Sequence, residues 1–265
     1  MKNPIETMGV AFLGFSREVC GVLTLLHKTI TFSMVGIFKK TPSARHSLSQ
    51  QLVFAGVQSV IIVSFLAFFT GIVIAMQSAR QLQQMGTVIY VAAMVSISIA
   101  RELGPVFAAL VVAGRVGSAI AAELGTMKVS EQIEALETLA IDPVKFLVVP
   151  RFLALLIMLP CLTIIADLMG IAGGFVVGVF NLGLDPYRYM RVSFEFLVWK
   201  DVWTGLVKSG GFAIAISMIS CYVGLNTRGG AEGVGKSTTL SVVASFVAII
   251  IIDCILTGVF FFSQM

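Results

Sequence analysis

Long uncharged runs separated by short polar breaks dominate the chain. Leu52 to Ala75 contains no charged residue and is about as long as a helix must be to cross a hydrocarbon core of roughly 30 Å, so it predicts a first membrane span. Val88 to Ala100 and Leu103 to Gly114 are each too short to cross alone. Joined by Arg101-Glu102 and followed by Gly104-Pro105, they predict one broken second helix with charges at mid-depth, buried in a bundle because a proline kink frees backbone groups that lipid cannot satisfy. A third span is predicted from about Phe152 to Phe180 with Pro160 and Asp167 inside, a fourth from Trp203 to Leu225, and a fifth from Leu240 to Phe262 with Asp253 inside. The pattern describes an all-α polytopic membrane protein with five transmembrane helices.

The stretches between these runs differ in kind. Residues 5–38 are mostly apolar but are interrupted by Arg17, Glu18, His27 and Lys28 and followed by Lys39, Lys40 and Arg45. They predict an amphipathic helix lying in the interface, with a basic linker up to about residue 50. The membrane domain then occupies 51–265. Residues 126–146 are polar, with helix formers from Ser130 to Ala140 and a stop at Asp142-Pro143, which predicts a short water-exposed helix between the second and third spans. The segment holding Arg188, Arg191 and Lys200 is read as an aromatic-rich interfacial loop.

Twelve Lys and Arg residues fall in the N-terminal segment, the 115–151 region and the 226–237 loop, against four on the opposite side (Arg80, Arg188, Arg191 and Lys200). The positive-inside rule therefore expects a cytoplasmic N-terminus and an external C-terminus. The first residues, MKNPIETMGV, do not have the form of a removable signal peptide.

Composition agrees with a membrane protein: 57% of residues are hydrophobic and 12% charged, about half the usual charged share of a soluble domain. The net charge of +4 sits between apolar runs without interleaved aromatic platforms, so nucleic acid is not the expected partner. Cys20, Cys161, Cys221 and Cys254 stand far apart, and with only His27 and His46 beside them they are read as packing residues rather than metal ligands.

Gly230-Ala231-Glu232-Gly233-Val234-Gly235-Lys236-Ser237 satisfies the phosphate-cradling pattern of a P-loop. The mechanism behind that pattern needs a preceding strand, a soluble helix and an acidic magnesium partner. Membrane spans flank the run here, so it is read as a flexible turn.

Two readings stand for the 126–146 helix. It docks in the groove of a soluble partner, with Glu131, Glu134 and Glu137 supplying charge and Ile133, Leu136 and Leu139 apolar anchors, or it is a solvated loop helix. Arg101, Glu102, Asp167 and Asp253 are expensive inside a membrane and are either part of a transport pathway or ion pairs that pin helices together. Arg101 is expected to pair with Asp167 or Asp253, leaving Glu102 to face a watery cavity or to be held protonated by burial. Met76, Gln77 and Arg80, at the outer end of the first span, either line a lipid-accepting cavity or pack and snorkel.

Several linked motifs then carry a resemblance: Arg101-Glu102-Leu103-Gly104-Pro105, Ala113-Gly114-Arg115-Val116-Gly117-Ser118-Ala119, Glu123-Leu124-Gly125, Glu131-Gln132-Ile133-Glu134-Ala135-Leu136, Asp142-Pro143 and Pro150-Arg151. Together with Gly229 to Gly235 and Thr238-Thr239, they resemble the MlaE/YrbE family of ABC-transporter permeases over roughly residues 50–262. Lys236-Ser237 departs from the arginine-alanine associated with that loop. The resemblance implies a homodimeric permease in a bacterial inner membrane. It implies a pair of cytoplasmic ATPases that bind ATP and magnesium, so that this chain needs no cofactor and is no enzyme, and an MCE-domain partner that exchanges phospholipid with it. It also implies that Glu131, Gln132, Glu134, Ala135, Leu136, Asp142 and Pro143 form the coupling helix. A self-contained secondary carrier or channel, driven through Asp167 and Asp253, is the alternative.

Overall fold

Backbone amides in hydrocarbon have no water to bond, so a chain that crosses must keep its hydrogen bonds within itself. The computed structural model describes residues 4–37 and 48–262, with side chains described from Ser16 to Ser33 and from Leu48 onward. Among the described residues five helical stretches are long and apolar enough to cross: Leu48–Gln84, Val88–Val129, Val144–Asn181, Trp199–Leu225 and Gly230–Phe262. Each contains or overlaps a predicted run and extends beyond it. The apolar run marks only what hydrocarbon must cover, while good helix formers such as Gln81 to Gln84 continue the same helix past it.

In chain order, α1 is Pro4–Ile37 and α2, in the first span, is Gln58–Gln84 after a π-helical turn at Val53–Val57. The second span is α3 (Val91–Ser98), α4 (Gly104–Val112) and α5 (Ser118–Val129), joined by π turns at Ile99–Leu103 and Ala113–Gly117. α6 is Gln132–Thr138. The third span is α7 (Val149–Val176), flanked by π turns at Val144–Val148 and Val177–Asn181. α8 is Pro186–Phe196, α9 is Trp199–Leu225 and α10 is Gly230–Phe262.

The break predicted in the second span is a widened turn within one continuous helix. Pro105 has no N–H for the carbonyl of Arg101 and its ring would strike that carbonyl. The π turn at Ile99–Leu103 absorbs this, with the Gly104 amide donating to the Ile99 carbonyl. Pro150 follows the Val144–Val148 turn in the same relation.

Apolar faces gain nothing from meeting each other in lipid, so close contact must come from small residues. α2 and α7 meet in this way. A β-carbon on Gly71 would lie 1.9 Å from the Gly170 carbonyl oxygen, and one on Gly173 would lie 2.1 Å from that of Phe68. α9 runs through the middle of the bundle, with Phe212, Ala213 and Ile216 fully buried against Ile120, Leu155 and Leu159. The first and fifth spans are the least buried of the five.

Two segments differ from the sequence expectation. The Arg188-containing loop is the amphipathic helix α8, started by Asp185, whose carboxylate accepts from the Arg188 amide at 2.9 Å, with Pro186 in the first turn. Its Tyr189 is fully buried, edge-on to Phe175 at 5.5 Å, and that burial pushes the phenol far above its ordinary range. The N-terminal helix packs on the fourth span rather than only on lipid: Leu25 and Thr29 are buried, and Gly21 lies against the Tyr222 ring. The basic residues Lys39, Lys40 and Arg45 lie outside the described residues.

Candidate functional site

Five charges of the membrane domain are gathered by three helices. Arg101 and Glu102 lie in the π turn of the second span, Asp201, Thr204 and Lys208 on the first turns of α9, and Asp253 and Thr257 near the far end of α10. Arg101 Nε donates to Asp201 Oδ1 at 2.6 Å, and Asp201 is almost completely buried. Lys208, whose side chain is 2% exposed, donates from Nζ to Glu102 Oε2 at 2.5 Å and to Thr257 Oγ1 at 2.6 Å. Its ammonium also lies 3.0 Å from Asp253 Oδ1 as an ion pair without hydrogen-bond alignment. Thr257 donates in turn to Glu102 Oε1 at 3.3 Å.

Arg101 therefore pairs with neither Asp167 nor Asp253, and Glu102 is not short of a cation. Two residues that sequence reasoning passed over, Asp201 and Lys208, complete the cluster. Asp201 falls just before the predicted start of the fourth span at Trp203. Lys208 could have been found by the rule that singled out Asp253, since it is a lone charge in an apolar run. The cluster lies in the half of the bundle toward α8, level with the start of α9. Arg101, Glu102, Lys208, Thr257 and Phe260 line a cavity of about 80 Å³, open to the face where Glu102 and Arg101 remain 40% and 45% exposed.

The other predicted site residues fall elsewhere. Asp167 on α7 is buried and makes no hydrogen bond or ion pair among the described residues. Met76, Gln77 and Arg80 are exposed on α2 and have no bond to the cluster. Arg115, which carries one motif, clamps two π turns. It donates to the Phe54 carbonyl at 3.0 Å, to Ser59 at 2.8 Å and to Gln58 at 2.5 Å, and stacks over the Phe54 ring at 5.3 Å.

At the opposite end of the bundle α6 stands between the second and third spans. Glu131 before it and Ala140 after it take left-handed backbone conformations, with φ of 59° and 57°, so each turn is sharp. Ile133 is buried in the protein's own core and so is not free to anchor a partner, while Leu136 is half-buried against the same core. Glu134 bonds Lys128, and that bond draws its carboxyl below the usual range. The outward face is Glu131, Gln132, Ala135 and Leu139, the last 70% exposed, with Asp142 and Pro143 closing the loop behind it. Asp142 caps that loop by accepting from the Val144 amide at 2.8 Å.

The P-loop-like run is neither a cradle nor a flexible turn. It forms the first two turns of α10, where the Gly233 amide donates back to the Gly229 carbonyl at 3.2 Å and Lys236 pairs with Glu232 at 2.7 Å on the exposed surface. Amides used inside a helix cannot hold phosphates. With an ATPase partner, as the resemblance implies, Lys236→Ala is expected to leave the rate of ATP hydrolysis within about twofold of wild type, as for most exposed surface changes. A complete loss of hydrolysis would restore the P-loop reading.

A helical bundle with five apolar spans, paired charges inside them and a polar helix projecting from one end defines a multi-pass membrane protein. The family described as Permease MlaE matches residues 48–259, and the chain belongs to that family of ABC transporter permeases. A protein of Rickettsia felis described as a probable ABC transporter permease protein is 43% identical over 259 residues, covering 98% of each chain. The intermembrane phospholipid transport system permease protein MlaE of Haemophilus influenzae is 36% identical over 215 residues, covering 81% of this chain and 82% of that one.

Proposed function

We propose that this chain is the membrane subunit of a phospholipid transporter in a bacterial inner membrane. Two copies form the pathway, a pair of cytoplasmic ATPases drives it, and an MCE-domain protein on the far side exchanges lipid with it. The observation that carries the reading is the charged cluster of Arg101, Glu102, Asp201, Lys208 and Asp253, partly open within an otherwise apolar span region. Charges inside a span are costly and by default mark a path for polar groups, and a phospholipid headgroup is polar. The name of the Haemophilus influenzae relative supports the substrate class. ATP and magnesium belong to the partner ATPases.

The least-buried spans, the first and fifth, leave apolar faces that suit a second copy, the MCE partner's membrane anchor or lipid. The positive-inside count puts α6 and the N-terminus in the cytoplasm and α8 outside. The outward face of α6 is then the ATPase contact, with Gln132, Ala135 and Leu139 at its centre and Glu131 at its rim. Glu134 holds α6 to Lys128 and positions it.

The docking test is the double variant Ala135→Arg with Leu139→Asp. Disrupting the centre of an interface costs enough to lower co-purified ATPase by about tenfold or more, while the permease itself should purify and melt as wild type. Undiminished ATPase recovery and transport in that variant would remove α6 from the interface. ATP-dependent phospholipid movement in liposomes containing the whole complex tests the function. Ion-gradient-driven uptake by this chain alone would favour the carrier reading instead.

A further inference from the structure

A second cavity, of about 500 Å³, lies between α7, α8, the start of α9 and the π turn at Ile99–Leu103. Its size falls within the roughly 300–1,000 Å³ typical of small-molecule sites. Leu168, Phe175, Phe194 and Val202 are among the apolar side chains lining it, and Asp167 is the one ionisable residue in the lining. Leu168 is 61% exposed on the membrane-facing side of a span, so what enters comes from the bilayer.

Asp167 is what distinguishes this cavity from an ordinary lipid-facing groove. Its Oδ1 is sealed against Gly104, where a β-carbon would come within 1.8 Å of it, and has no hydrogen-bond partner. The other carboxylate oxygen also has no partner among the described residues, but it is not sealed, so the carboxyl meets the cavity through that atom. Buried polar atoms are nearly always hydrogen-bonded, so each exception calls for an explanation. The cavity is also distinct from the charged cluster. Ala100 lines it, while Arg101 and Glu102 line the other cavity, because successive helical residues point about 100° apart. The π turn is the wall between the two.

We propose that this cavity is a lateral lipid site that takes the apolar body of a membrane amphiphile bearing a hydroxyl, with the free oxygen of Asp167 accepting a hydrogen bond from that hydroxyl. The site rests on the chain spanning a membrane and not on what the transporter carries. α8 roofs it, which gives the amphipathic helix a role besides lying at the interface.

The test uses the full-length protein in nanodiscs, photolabelled with a long-chain alcohol that carries a diazirine on its chain, and with the methyl ether of the same probe. The alcohol should label peptides spanning 164–175 and 190–202 about fivefold more than the ether, the order of one net hydrogen bond. It should also label them above the lipid-facing stretch of α2 around Phe65. Asp167→Leu should bring the two probes to equal labelling. Ala172→Trp, at an exposed position in the lining, should remove labelling by both and leave the α2 peptide unchanged. Leu168→Trp provides the same test from a second exposed position. Labelling no higher than at α2, an alcohol-to-ether ratio near one in the wild type, or a ratio unaffected by Asp167→Leu would each overturn the proposal. The labelling requires no ATPase and no transport, so its failure leaves the transport reading untouched.

Discussion

Lys208→Met should be the most damaging single change among the charged residues. The methionine keeps the length of the side chain but removes the cation that Glu102, Asp253 and Thr257 share. Breaking a buried ion pair by removing one partner costs about 3–5 kcal/mol because it strands the other charge. The lower end is expected here, since the Glu102 side chain is 40% exposed and Asp253 25%. Thermal unfolding of the detergent-solubilised protein should show a large drop in midpoint, with reduced yield of monodisperse material. Adding Glu102→Gln and Asp253→Asn to Lys208→Met should recover most of the stability without restoring transport, because stranded carboxylates, and not a missing contact, cause the loss. A Lys208→Met protein that melts with the wild type would show that the ammonium does not hold these helices together.

The second large effect is expected where α2 crosses α7. Gly71 and Gly173 each face a backbone carbonyl of the opposing helix at a distance that admits no β-carbon. Backbone cannot swing aside as a side chain can, so Gly173→Ala must push the helices apart along their whole contact. Overpacking of this kind costs about 1–3 kcal/mol, and the upper end is expected because both helices are rigid. Gly114 and Gly258 have nothing within 4 Å of a β-carbon. Alanine there should be neutral, or stabilising by up to about 1 kcal/mol through helix propensity. Combining Gly71→Ala with Gly173→Ala should cost less than the sum, since the first change already separates the helices. Equal melting of Gly173→Ala and Gly114→Ala would contradict the close approach.

The sequence by itself determined the class of the molecule and the place of every span, because a helix that crosses hydrocarbon must be apolar over a fixed length and any run of that length is visible. It also determined the sharp stop before the third span, since the conformational limits of Asp142-Pro143 act locally. The motifs placed the chain in its family for the same reason: they are short, ordered and contiguous.

What the tertiary structure decided is which charges meet. Arg101 could have reached any of several acids by sequence, and the π turn before Pro105 aims it at Asp201, a residue just outside the predicted fourth span. Lys208 gains its meaning only when α9 brings it between Glu102 and Asp253, which lie 106 residues upstream and on the next span. On α6 the period of Ile133 and Leu136 was legible, but not whether that face turned toward a partner or toward the protein's own core. A hydrophobic stripe specifies that something covers it, and only the packed bundle specifies what. The unpartnered carboxyl of Asp167 is the same case in reverse: the sequence shows an acid inside a span, and the fold shows that no described residue hydrogen-bonds or ion-pairs with it.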